Sequence, residues 1–206
     1  MYTLYGNKIS GNSYKTRLTC ALLNIEYQWV EVDILTQESR QEVFLQNNPL
    51  GQVPVLLIEP DDSSMDCKPT KILESNAIIR YLADGSSLIP NAAIKYAEMW
   101  QWLLYEQTEV RPNIASVRFI KKFQNMIPSR LAEYQQKFDK SKDILSYLNE
   151  HLQNKAYILG DDASLADISL YVYTHNAEEG GLELLPYKNL LNWLKRIELL
   201  PNFVRL

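Results

Sequence analysis

The spacing of apolar positions changes character near residue 84. Before it, short runs of alternating apolar and polar residues are separated by stretches at helical spacing, as a small α/β layer requires. Tyr2 to Tyr5 reads as a strand, and Ser13 to Asn24 as a helix with Leu18, Leu22 and Ile25 on one stripe. Val30, Val32 and Ile34 alternate with Glu31 and Asp33, which predicts a second strand with one buried face. A short helix over 40–46 follows, then the turn residues of NPLGQ, a strand over 55–58, a polar loop or hairpin end over 61–69 and a short strand near Ile72. Ile78, Ile79 and Leu82 share one stripe of a helix predicted over 75–83.

The segment DGSSLIPNAA has the Gly, Ser, Pro and Asn content of a linker between compact units. Beyond it every apolar repeat is helical. Trp100, Leu103, Leu104, Val110, Ile114 and Val117 recur every three or four residues along a segment where Pro112 predicts a kink. Leu131, Tyr134, Phe138, Leu145, Leu148 and Leu152 continue the pattern in a second long helix, and shorter helices are predicted over 165–178 and 188–199. The expected organisation is therefore α/β plus all-α, with a first domain over 1–84 and a helical domain over 92–206.

Composition narrows the function classes. A chain of 206 residues, 46% apolar, can fill two ordinary cores. Its net charge of −4, from 21 basic and 25 acidic residues, comes without a Lys/Arg cluster that would track a phosphate backbone, so nucleic acid is not an expected partner. The opening MYTLYGNKISGNSYK lacks a basic stretch followed by a long apolar run, and no span approaches the roughly 20 apolar residues that cross a bilayer. Export and membrane insertion are not expected, and the reading is cytoplasmic. Cys20 and Cys67 form no CxxC pair, which fits a reduced compartment. His151 and His175 are the only histidines and have no ligating neighbours at metal spacing. They read as surface or capping residues, and no metal is expected.

Three local patterns in the first half carry candidate chemistry. Val53-Pro54 stands between a turn and a strand; a trans proline there simply opens the strand, whereas a cis bond would turn the Val53 amide and carbonyl outward for strand-like binding of a peptide. Glu74-Ser75 precedes an amphipathic helix. Ser75 is a good N-cap, and the same helix end can take a carboxylate while Glu74 pairs with an ammonium, a combination that fits an amino-acid head group. In SGNSYKTR, Ser10, Asn12 and Ser13 either cap a helix, with Ser13 as the expected cap, or present donors that stabilise a thiolate.

Taken together, YGNKISGNSYKTRLTCALLNIEYQWVEVD, NPLGQVPVL and ILESNAIIRYLAD resemble the thioredoxin-like domain of bacterial cytosolic glutathione S-transferases. WQWLLYEQTEVRPNIASVRF, SLADISLYVYTHNAEEGG and LNWLKRIELLPNF are similar to the helical domain of the same family. The resemblance covers nearly the whole chain in order. It implies a βαβαββα first domain followed by a helical bundle, a homodimer pairing through the helices near Ile79 and Trp100, glutathione as co-substrate with no further cofactor, and a small electrophile as second substrate, as in detoxification. By resemblance, Val53, ahead of a cis Pro54, pairs with the cysteinyl unit of glutathione, and Glu74 and Ser75 hold its γ-glutamyl end. Gln52 and Arg40 correspond to residues near the tripeptide's carboxylates, although a solvated helix charge accounts for Arg40 equally well. The resemblance points to Ser10 for the reacting sulfur, with Asn12 as a second donor. Ser10 replaces the cysteine of the branch that forms mixed disulfides, and some relatives carry cysteine at Ser13. Tyr5 is a further candidate, although its place in a strand favours a core role. Ser164 and Asp167 read as a capping box inside the helical core. Trp100, Trp102, Tyr105 and Phe119 lie on the helix that lines the family's second pocket, and Tyr105 is the candidate electrophile contact. A glutathione-dependent disulfide or peroxide reductase shares this site, and a non-catalytic binding or scaffold module shares the fold.

Overall fold

A computed structural model describes residues 1–60 and 68–206; Cys67 and most of the expected polar loop over 61–69 lie outside the described residues. The chain divides into two units, one comprising Met1–Ser86 and Pro201–Leu206 and the other Ser87–Leu200. The last six residues, expected with the helical half, thus belong to the first unit. Their tie is specific: the Tyr14 hydroxyl donates to the Val204 carbonyl at 2.7 Å.

In the first unit, strands β1 (Tyr2–Gly6), β2 (Gln28–Glu31), β3 (Val55–Ile58) and β4 (Thr70–Leu73) form one sheet in the order β2-β1-β3-β4. β1 runs parallel to β2 and antiparallel to β3, and β3 runs antiparallel to β4. Successive side chains alternate faces, so the pairs Leu4↔Leu56 and Tyr5↔Val55 sit on opposite sides of the sheet. Leu4 and Leu56 pack with Cys20 of helix α1 (Gly11–Leu22) and with Ile78 and Leu82 of helix α3 (Ser75–Leu82). Val55 packs with Val32 and with Phe44 of the short helix α2 (Glu42–Leu45), and Tyr5 joins that cluster, which is the core role expected for it.

Three local expectations shift. The second strand lies earlier than the Val30–Ile34 alternation suggested; Val30 is exposed, and buried Val32 follows the strand. The helix predicted over 40–46 is split into a 3-10 turn, Glu38–Arg40, and α2, because Gln41 between them is extended. Ile79 is fully buried within this unit. Its side chain therefore has no surface to offer a partner copy.

In the second unit, residues 93–122 form one helical run: α4 (Ala93–Tyr105), a π-helical segment Glu106–Ala115 and α5 (Ser116–Lys122). The disturbance expected at Pro112 takes the form of this widened helix, since proline has no N–H for an α-helical bond. The Asn113 side-chain amide donates to the Glu109 carbonyl at 2.7 Å within the same segment. Helix α6 (Leu131–His151), helix α7 (Leu165–Thr174) and helix α8 (Lys188–Glu198) complete the bundle. All ten residues of α7 are buried, which makes it the central helix; each fully buried leucine or isoleucine contributes about 1.5–3 kcal/mol. Among the described residues no helix is long and apolar enough to cross a membrane.

Candidate functional site

The sheet's register assembles the site. Tyr5 pairs with Val55, and Val55 with Leu73. The end of β1, the start of β3 and the end of β4 therefore meet at one end of the sheet, where α1 and α3 also begin. Ser10 and Asn12, Val53, and Glu74 and Ser75 all stand at this end.

At the start of α1, Ser10 is the N-cap: its side-chain oxygen accepts the Ser13 N–H at 3.3 Å. Ser13, expected to cap, is instead fully buried, and its hydroxyl oxygen accepts the Asn7 N–H at 3.1 Å. The backbone decides this, because Ser10 is extended and its carbonyl accepts the Tyr14 N–H at 2.8 Å. The cap bond uses a lone pair of the Ser10 hydroxyl and not its proton.

Residue 74 precedes α3 with φ 68° and ψ 117°, a conformation uncommon for a side-chain-bearing residue. Ser75, expected as the cap, is the first helical residue, and the cap position belongs to Glu74. The Glu74 side chain is exposed and engages no other described residue. Ser75 is buried, and its hydroxyl donates to Asn12 Oδ1 at 2.9 Å. The Ser75 hydroxyl oxygen also accepts from Lys15 Nζ at 3.1 Å, and Lys15 Nζ donates to Asn76 Oδ1 at 2.8 Å. Lys15 is fully buried. Sequence reasoning missed Lys15 and Asn76, yet a signal was present: Lys15, Leu18, Thr19 and Leu22 follow i, i+3, i+4, i+7 spacing, which places a lysine on the buried stripe of α1.

The Val53-Pro54 bond is cis. Among the described residues the Val53 backbone N–H and carbonyl have no partner in the chain. The turn before it is held by its own polar groups. Asn48 Nδ2 donates to the Gln52 carbonyl at 2.8 Å, and Asn48 Oδ1 accepts the Leu50 N–H at 3.0 Å. Arg40 Nη1 donates to the Leu50 carbonyl at 2.8 Å. Gly51 has φ +60°, and a Cβ there would come within 2.7 Å of the Ser39 carbonyl, so this turn requires glycine. Arg40 and Gln52 are exposed at this turn, with Arg40 anchoring its backbone.

In the second unit, Tyr105 is half-buried, edge-on to Trp102 at 5.5 Å and 5.5 Å from Tyr147, and burial pushes its hydroxyl up to about 12. Ser164 and Asp167 form the expected capping box. The Asp167 carboxylate accepts the Ser164 N–H and hydroxyl at 2.9 and 3.0 Å, and the Ile158 N–H and Trp193 Nε1 at 2.8 Å each. Burial pushes its pKa up against the opposing pull of these bonds. The histidines are packing residues rather than surface ones. His175 stacks on Tyr171 at 4.7 Å, His151 lies 4.5 Å from Trp102, and burial lowers the pKa of both.

The Cys20 thiol is buried and pushed up to about 12 by desolvation, so it is no nucleophile at neutral pH. Among the described residues no cluster of three His, Cys, Asp or Glu could hold a metal. What the first unit offers is a set of hydrogen-bond donors, an exposed carboxylate and an unpaired strip of backbone, suited to holding a peptide-like ligand.

The glutathione S-transferase N-terminal domain model matches residues 1–84, and the glutathione S-transferase C-terminal domain model matches residues 99–201. A crystal structure of a glutathione S-transferase from Pseudomonas fluorescens Pf-5 is 37% identical, with a TM-score of 0.91 over 99% of this chain and 98% of that one. A Burkholderia graminis glutathione transferase, solved with two glutathione molecules bound per subunit, is 25% identical with a TM-score of 0.83 over 98% of this chain and 85% of its own. Among curated relatives, elongation factor 1-gamma 3 from Oryza sativa subsp. japonica is 33% identical over 87% of this chain, which spans 40% of that protein's length. The disulfide-bond oxidoreductase YfcG of Escherichia coli K12 is 25% identical over 92% of this chain and 87% of its own. With both halves matched in order and a 37%-identical structure superposing along the full length, the chain belongs to the glutathione S-transferase family.

Proposed function

We propose that this protein is a glutathione transferase that holds glutathione in its first unit and stabilises the thiolate for attack on a small electrophile. The observation that carries this reading is the hydrogen bond from Ser75 to Asn12, which ties the head-group position of α3 to the donor turn of α1. Glu74 and the start of α3 receive the ammonium and carboxylate of the γ-glutamyl end, Val53 pairs with the cysteinyl backbone, and Ser10 and Asn12 face the sulfur. Gln52 and Arg40 are the candidate partners near the tripeptide's carboxylates. Tyr105 stays a neutral hydroxyl at physiological pH and is the candidate contact for the electrophile.

The electrostatic demand is modest. A thiol of pKa near 8.5 is a few per cent ionised at pH 7, and lowering it by about two units takes about 2.7 kcal/mol of preferential thiolate stabilisation. One or two hydroxyl or amide donors at a helix N-terminus supply that. The thiolate then attacks an electrophilic carbon, the new C–S bond takes the sulfur's electron pair, and the leaving group departs with the pair of the broken bond. No enzyme-bound covalent intermediate is needed.

The YfcG relative, a disulfide-bond oxidoreductase, supports a second reading in which the electrophile is a disulfide or peroxide. The elongation factor relative supports a third, a module without turnover. Calorimetric titration with glutathione, followed by activity assays against a halogenated aromatic, a hydroperoxide and a small disulfide, separates the three. Binding with conjugation upholds the proposal, turnover of only the disulfide or peroxide selects the second reading, and binding without turnover selects the third. No binding at millimolar glutathione removes the first two readings and leaves a scaffold without a glutathione site. We further propose a cytoplasmic homodimer that pairs through exposed apolar side chains on α3 and α4, Tyr81, Ile94 and Leu104. Light scattering at monomer mass across micromolar concentrations would refute the dimer.

A further inference from the structure

Lys15 is a fully buried lysine in the wall of the candidate site, and its chemistry dictates the direction of the bonds around it. An ammonium donates and never accepts, so at 3.1 Å the Ser75 hydroxyl oxygen must be the acceptor. An amide oxygen accepts and never donates, so Ser75 must give its single proton to Asn12 Oδ1, at 2.9 Å. With Oδ1 as the amide atom that faces Ser75, the bonds run in the order Lys15 to Ser75 to Asn12. Holding Oδ1 in this way turns the Asn12 NH2 to the other side of the amide, and the NH2 is the end that can donate to a thiolate. The second Lys15 bond, 2.8 Å to Asn76 Oδ1, fixes the ammonium against the first two residues of α3. Without the ammonium the Ser75 hydroxyl is free to rotate, and the amide loses its fixed sense.

We propose that Lys15 is a positioning residue that orients the Asn12 amide toward the reacting sulfur through the Ser75 hydroxyl. The proposal rests on the glutathione reading above and deepens it, by adding a residue that touches neither ligand nor sulfur. A lysine that acted only through its charge would shift the thiol's titration equally with and without the Asn12 amide.

The test follows the thiol of saturating glutathione by its thiolate absorbance against pH. Lys15→Met should raise the bound thiol's pKa by about one unit, a tenfold smaller thiolate fraction at pH well below it. In an Asn12→Ala background the same change should add nothing. Ser75→Ala leaves Lys15 bonded to Asn76, breaks the same link and should give the same rise, which keeps the proposal falsifiable if Lys15→Met does not fold. In the ligand-free protein, the side-chain amide resonances of Asn12 should move in both variants. An unchanged thiol pKa in the foldable variants, or an equal rise in the Asn12→Ala background, overturns the positioning role. Should the parent's bound thiol be unshifted, the transferase reading fails instead, and the ligand-free Asn12 resonances decide the role of Lys15: moved signals uphold it and unmoved ones overturn it.

Discussion

Each unit buries a polar cluster at the start of a helix, and the two differ in how their bonds are closed. In the second unit both oxygens of Asp167 receive two donors: Ile158 N–H and Trp193 Nε1 on one, Ser164 N–H and hydroxyl on the other. A carboxylate offers about four acceptor positions, so this cluster is complete and has none left for a ligand. In the first unit, Ser75 ties Asn12 to Lys15, but the Ser10 cap bond leaves a hydroxyl proton uncommitted, Val53 keeps an unpaired backbone strip and Glu74 an exposed carboxylate. The same vocabulary of capping residues thus serves a fold in one place and a site in the other. Closure of the hydrogen bonds, rather than residue type, tells them apart.

The largest expected effect tests the closed cluster. Asp167→Ala strands three buried donors besides the Ser164 hydroxyl, and urea unfolding should show a loss of about 3–5 kcal/mol, while the glutathione affinity of the folded protein stays at the parent value. A changed affinity would break the contrast between the units. Next in size, Glu74→Ala should weaken glutathione binding about tenfold, equivalent to about 1.4 kcal/mol, with little change in stability, as calorimetry and thermal unfolding would show. Ser10→Ala should raise the bound thiol's pKa by about one unit and, because Ser10 is the observed cap, also cost about 1 kcal/mol of stability. Ser10→Gly sharpens this, since glycine caps nearly as well: the same titration shift should then come with a stability loss of only a few tenths of a kcal/mol.

The smallest effect is a pH dependence of the second unit. Burial lowers the His175 pKa, with Arg118 adding to this while the Tyr171 carbonyl, Glu179 and Glu198 oppose it. A depressed folded pKa means that the unfolded chain takes up the proton first, so this stability is full above about pH 6.5 and is lost as pH falls toward the folded value. In His175→Gln the melting temperature should drop less between pH 7 and pH 5 than in the parent. An equal drop would assign the dependence to other groups.

The periodicity of apolar residues determined the two architectures, because burial of one face per element leaves a period of two or about 3.6 in the chain. Strand β3 was legible to the residue, since Val55–Ile58 is apolar on both faces and bounded by turn chemistry. So was the Ser164–Asp167 box, whose partners are three residues apart and need only local geometry. The second strand was misplaced because Val30 and Val32 alternate regardless of which one pairs with β1, and pairing is a tertiary decision. The cap of α1 was expected at Ser13 and lies at Ser10, because Ser10, Asn12 and Ser13 are all good capping residues and only the backbone, extended at Ser10, chooses among them. Lys15 stayed hidden for a deeper reason. A lysine on an apolar stripe reads as an anomaly in one helix, and it becomes a hydrogen-bonded group only when α3, about sixty residues further along the chain, brings Ser75 and Asn76 against it.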